Sequence, residues 1–415
     1  MLTPDRRGHC LPVKTWVRQI SERVRVLTQP VMGVAFSPHG ALAALWRAPR
    51  LSGGTLGRGS VRVIEVAGGR EVLALDDDEP VGAVIFVDDD RLLVLLELRP
   101  GALLQLRAIA SGRVLAEARF PDLWPSRWQL QVSVAGQTLL VATDLMSGVP
   151  GRAECACYSL PDLALRRAIL RPEESALGEG GEHTPGGTAA LDAEGRRVAV
   201  YYPARGRGHV VIEGVLAPAV EPAVFEVALR PLNASLRWLA HDRLLVGSCV
   251  GRQGFVSVRL PAATAPGSHA LPRGEWAEIS RFEAFEESLD PDGARIVGWS
   301  PPDPKLAPRE GLQVLDACRG VLLQTVPLER GARPPRAVGW ADGTTLLEAS
   351  GEGASVTVTA RALDGEVRGA TRLPPGRVHR GATLRVQALR GGEVILSARN
   401  HSGVAQCFFL GPMTR

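Results

Sequence analysis

Lysine is almost missing from this chain: of 48 basic residues only Lys14 and Lys305 are lysine, and the rest are arginine. The 44 acidic residues bring the net charge to +4. Nothing in that balance demands a nucleic-acid partner, whose phosphates call for a strong positive excess. Aromatic residues make up only 5% of the chain. Long apolar runs are missing too, and none approaches the roughly 18 residues needed to cross a bilayer. The first residues, MLTPDRRGHCLPVKTW, hold no apolar h-region and no small-residue cleavage site. The expectation is a cytoplasmic protein with no membrane span.

Paired cysteines are lacking as well. Cys10, Cys155, Cys157, Cys249, Cys318 and Cys407 show no spacing of a disulfide framework or zinc site. Cys155 and Cys157 lie two apart in an expected strand, so their side chains share one face. A tetrahedral metal site needs two further ligands there, and none is visible; the pair reads as small, reduced core residues.

Catalytic signatures are missing in the same way. There is no HExxH, no CxxC and no Gly-x-Ser-x-Gly elbow, and the eight histidines are dispersed. The acidic groups Asp76-Asp77-Asp78-Glu79 and Asp88-Asp89-Asp90 do not match a spaced calcium loop. They read as solvated turn residues. Glu182-His183 falls in a Gly-rich insertion. No catalytic residue, metal ligand or cofactor is assigned, and Trp46, Trp238, Trp299 and Trp340 read as core or channel packing.

What the chain does have is a recurring stretch. From Val31 to Leu75 it reads VMGVAFSPHGALAALW, a loop, then GSVRVIEVAGGREVLAL. These are four short apolar runs divided by turns, the pattern of an all-β repeat. Versions recur at about 82–119, 128–170, 187–229, 234–272, 282–327, 336–373 and 382–410. The last shows only three strands, and an orphan alternating segment at Glu22–Thr28 is the candidate for its fourth. The expected fold is therefore all-β: a single closed β-propeller of eight four-stranded blades, or seven if the weak fifth unit merges. An N-terminal strand closes the last blade, which removes an exposed sheet edge. Residues 1–21 form an arm and 22–411 the propeller.

VAFSPHGALAAL, LDAEGRRVAV, LDPDGARIVGW and VGWADGTTLLEA carry a resemblance to bacterial WD40-like propeller proteins. The resemblance implies a scaffold that binds partners on its loops. The Trp-Asp dipeptide of that family is missing, so the blades are expected to rest on Val/Leu packing and turn chemistry instead.

Labelling the strands of each unit a to d, the a–b turns are all short and the long segments all lie in b–c or d–a connections. Loops gathered on one face of a rigid scaffold usually carry binding. The b–c segments also recurrently hold arginine: Arg47, Arg50, Arg58, Arg99, Arg152, Arg205, Arg207, Arg252, Arg309 and Arg399. A guanidinium engages carboxylate or phosphate bidentately. The expectation is a non-catalytic scaffold or sensor binding a protein or peptide partner, an acidic one by that chemistry. The alternative is a small-molecule-binding or hydrolytic propeller with a site in its central channel.

Overall fold

The structure is a computed structural model. It describes residues 17–19, 33–47, 59–66, 69–98, 101–120, 128–133, 135–143, 153–170, 188–204, 207–215, 223–227, 234–239, 243–248, 255–259, 275–279, 283–290, 292–299, 311–319, 321–328, 335–351, 355–373, 378, 382–388, 394–399 and 405–410.

The short apolar runs form antiparallel sheets of four strands, each built from consecutive segments. The first sheet is Gly33–Phe36, Leu42–Arg47, Gly59–Glu65 and Glu71–Asp77 (β2 to β5). The second is Val81–Phe86, Arg91–Glu97, Ala102–Ala108 and Val114–Phe120 (β6 to β9). The third is Trp128–Val132, Thr138–Thr143, Ala153–Ser159 and Leu165–Leu170 (β10 to β13). The fourth is Thr188–Leu191, Arg197–Ala204, Arg207–Gly214 and Ala223–Val227 (β14 to β17). The fifth is Ala234–Leu239, Arg243–Ser248, Phe255–Arg259 and Glu275–Ile279 (β18 to β21). The sixth is Glu283–Leu289, Arg295–Trp299, Gly311–Asp316 and Leu322–Pro327 (β22 to β25). The seventh is Ala337–Trp340, Thr345–Ser350, Thr357–Ala362 and Val367–Arg372 (β26 to β29). The last combines Thr383–Ala388, Val394–Arg399 and Ala405–Leu410 (β30 to β32) with Val17–Gln19 (β1).

Within each sheet the strand order follows the chain, and the a strands of successive sheets approach one another. That arrangement is one all-β propeller, with the a strands innermost and the d strands outermost. Burial explains the residue patterns. The middle strands are covered on both faces by neighbouring sheets, so β7 reads RLLVLLE with an unbroken buried centre. The outermost strand β9 is half exposed and alternates along its length.

The expected architecture needs correcting. The closing strand is β1, with Val17, Arg18 and Gln19 opposite Leu410, Phe409 and Phe408. It comes from the segment read as an arm, and Glu22–Thr28 lies outside the described residues. Alternation favoured Val24 and Val26, but the pairing register against β32 decides. The count of seven also fails, because β18 to β21 form their own sheet.

The junctions between sheets are not all packed alike. Among the described residues, apolar clusters drawing on both neighbours fill six junctions: last to first, first to second, second to third, third to fourth, sixth to seventh, and seventh to last. The fifth sheet instead meets the sixth through Leu239, in a cluster with Ile296, Leu315 and Ala317.

One device recurs on the outer side. In the first, second, third, sixth and seventh sheets the c–d ladder shifts register near its turn. Each shift leaves one extra residue on the d strand, a bulge of the kind that blunts sheet edges.

Candidate binding face

Because a and c strands run opposite to b and d, the a–b and c–d turns emerge at one end of the molecule. The b–c and d–a connections emerge at the other. The two ends are built differently.

At the turn end, four a–b turns share one chemistry. Gly40, Gly136, Gly195 and Gly293 sit at φ of 73°, 68°, 72° and 70°. Each donates its N–H to the carbonyl of the Ser or Asp three residues before it. That Ser or Asp side chain then accepts the backbone N–H groups that follow. Asp192 Oδ1 accepts from Arg196 and Arg197 at 2.7 and 3.1 Å, and Asp290 Oδ1 from Ala294 and Arg295 at 2.7 and 3.0 Å.

The two aspartates also hold an arginine. Arg197 Nε donates to Asp192 Oδ2 at 3.0 Å and Arg295 Nε to Asp290 Oδ2 at 2.8 Å. Each guanidinium then reaches the next sheet, 4.7 Å from the ring centre of Trp238 and of Trp340 respectively. Trp238 Nε1 donates to Ala190 O at 2.9 Å, and Arg295 donates to Gly343 O at 2.9 Å. These tryptophans thus serve as latches between sheets rather than as channel lining.

Elsewhere the turn end is stitched by other pairs. Thr138 Oγ1 donates to Gly195 O, and His39 Nδ1 meets Asp89 Oδ2 across the first two sheets. Burial alone raises the Asp89 carboxyl, but hydrogen bonds from Ser37 and His39 outweigh it and hold the group below the usual carboxylate range. Asp88 accepts from Asp90 N and Arg91 Nε; at the connection end of β5, Asp76, opposite Ser60, takes Arg62 through both carboxylate oxygens. Residues of both acidic runs are therefore partnered within the protein, Asp88 and Asp89 at a turn and Asp76 on a strand. Among the described residues, no three His, Cys, Asp or Glu gather as metal ligands.

The inner edge is sealed between the third and fourth sheets. Gln129 and Gln131 of β10 treat β14 as a neighbouring strand would. Their amides donate to Ala189 O at 2.8 Å and Leu191 O at 3.2 Å, and accept from Ala189 N and Leu191 N. Cys155 and Cys157 share the apolar cluster behind them, where burial pushes the Cys157 thiol up to about 12.

At the connection end, Arg47 closes β3 opposite Ser60, Arg207 opens β16 opposite Ala204, and Arg399 closes β31 opposite Ala405. The backbone therefore brings these three to that end. Arg50, Arg99, Arg152, Arg205, Arg252 and Arg309 lie outside the described residues, as do Arg58 and Glu182-His183.

Sequence reasoning missed a small gap of about 10 Å³ here, between the first two sheets. Gly59, Ser60, Asp77, Val81, Leu96 and Arg107 line it. Ser60 is buried and its Oγ has no hydrogen-bond partner. The only sequence signal was a small polar residue at the start of an apolar strand.

No protein-family model matches the sequence, and no curated protein matches it. Solved structures do match in shape. The Dos1 propeller covers 95% of this chain and 95% of its own at 11% identity, with a TM-score of 0.52. A eukaryotic initiation factor structure covers 98% and 94% at 11% identity, with a TM-score of 0.50. The Cps50 (Swd1) β-propeller domain of Myceliophteria thermophila covers 96% and 98% at 11% identity, with a TM-score of 0.47. The shared feature is the fold. This chain is a β-propeller.

Proposed function

We propose that this propeller is a non-catalytic scaffold or sensor module that binds a protein or peptide partner at its connection end. The carrying observation is the contrast between ends: several turns are tied sheet to sheet by their own side chains, while most of the longer segments, several bearing arginine, leave from the other end; the fifth sheet departs from the expected pattern, because its c–d segment between β20 and β21 is also long. A side chain already holding its neighbour is not free to hold a partner. The preferred partner is acidic, since arginine at that rim recognises carboxylate or phosphate.

The repeat is read as WD40-like and the protein as cytoplasmic; among the described residues, no helix is long and apolar enough to cross a membrane. The alternative of a channel ligand loses weight at β14, whose inner edge is already occupied by Gln129 and Gln131.

The test is capture of partners from native lysate, comparing the natural chain with an Arg205→Glu, Arg207→Glu, Arg252→Glu variant. The expected outcome is a stoichiometric protein partner bound by the first and lost from the second. A partner retained by the variant removes the arginine rim from the reading. No partner in either sample returns the weight to a channel ligand.

A further inference from the structure

The outermost strand of a propeller sheet has one free edge, an open template for pairing unless the sequence blunts it. The outermost strands here are β5, β9, β13, β17, β21, β25, β29 and β1. Charge is the usual protection, and seven of them carry it, from the single Arg18 of β1 and Glu226 of β17 to Glu71, Asp76 and Asp77 of β5. The exception is β25, LLQTVP, which has no charged residue.

The same strand, with Val321 just before it, holds the main exposed apolar run among the described residues. Val321 is 54% exposed, Leu322 40% and Leu323 53%, and Gln324 and Thr325 beside them are exposed too. On the neighbouring β29, Val367 occupies the place of Leu322 and is 45% exposed. An apolar, uncharged free edge of this kind marks a contact surface.

We propose that β25 is a self-association site, at which a second copy of this chain adds the same strand edge to edge. Charge argues for a copy as the occupant. An antiparallel two-fold about Gln324 sets Leu323 opposite Thr325, Leu322 opposite Val326 and Val321 opposite Pro327. No like charges meet along that line. Any other outer strand placed on its own copy brings charged residues to the contact. Such a two-fold contact is closed, so it yields a dimer and not a fibre.

Two features limit its extent. Leu323 is the extra residue of the bulge opposite Val314 and Leu315, and Pro327 has no N–H to donate. The main-chain pairing is therefore short, and the apolar side chains supply most of the contact.

The experiment is sedimentation velocity across a concentration series for the natural chain, Leu323→Lys and Thr325→Lys. Both side chains are exposed, so thermal melts are expected to coincide and show that each variant folds. The expected result is a monomer–dimer equilibrium weakened at least about tenfold in both variants. If Leu323→Lys lowers the melting temperature, Thr325→Lys alone decides. A natural chain monomeric at every concentration overturns the proposal, as does a dimer that both variants retain. An association lost instead in the Arg205, Arg207 and Arg252 charge-reversal variant places the contact at the connection end and overturns it as well.

Discussion

The two ends of the propeller use polar side chains in opposite ways. At the turn end Asp192 and Asp290 are spent inward: each holds two backbone N–H groups and an arginine, and the arginine is spent on the next sheet's tryptophan. At the connection end the arginines stand at strand ends and in connections, and the buried Ser60 hydroxyl is without a partner. At the connection end Arg336, just before β26, also reaches Ala382 O, just before β30, so arginine ties sheets there too, but with no Asp–Arg–Trp latch among the described residues. Changes at the turn end are therefore expected to cost stability, and changes at the connection end to cost binding.

The largest expected effect tests the first half. In Asp290→Ala two backbone donors and the Arg295 guanidinium lose a carboxylate whose side chain is only 1% exposed. Removing one partner of a buried pair costs about 3–5 kcal/mol, read as a lower denaturant midpoint. Loss of less than about 1 kcal/mol would break the comparison.

Next comes the inner seal. Gln131→Leu keeps the volume but leaves Leu191 N–H and C=O without their partner, with an expected loss of about 1–3 kcal/mol by the same measurement. An unchanged midpoint would show that the amides only decorate the edge.

A smaller effect concerns pH. Glu348 is buried beside Arg361, which donates from Nε at 2.7 Å. Burial raises the Glu348 carboxyl, and the arginine only partly offsets it. The folded state therefore binds this proton more tightly than the unfolded state. Its contribution to stability falls as pH rises through the usual carboxylate value of 4.5 and on toward the raised folded value. Asp89 has the opposite sign, adding stability above its ordinary 3.8 that is lost as pH falls. In Glu348→Gln the decline above about pH 4.5 should flatten; an identical slope in urea midpoints across pH 4–7 would exclude Glu348 as its source.

The smallest effect sharpens the other half. Arg205→Glu is expected to move stability by no more than about 0.5 kcal/mol, the size of a change that breaks no architectural contact. A melt lowered as far as that of Asp290→Ala would mean that both ends are architectural.

Much of the strand plan was readable from residues. Gly33–Phe36, the Ser37-to-Gly40 turn and the GG turn before β5 follow from local pattern, because a left-handed glycine and a period-two strand are properties of a few neighbouring residues. β1 was not readable. Val17-Arg18-Gln19 has no stronger strand signal than its surroundings, and its partner lies near the other end of the chain. The candidate site was legible only as a tendency: the side on which arginine-bearing connections fall follows from strand order, but the gap at Ser60 needs two sheets in contact.

The sequence by itself determined the repeat and most of its turns, since each depends on spacing along one stretch of chain. Only the tertiary structure decided which strand completes the last sheet, that Asp192 and Asp290 reach the tryptophans of the following sheets through arginine, and that Gln129 and Gln131 seal β14. Those are contacts between segments remote in sequence, and their energies depend on burial and geometry that no local pattern encodes.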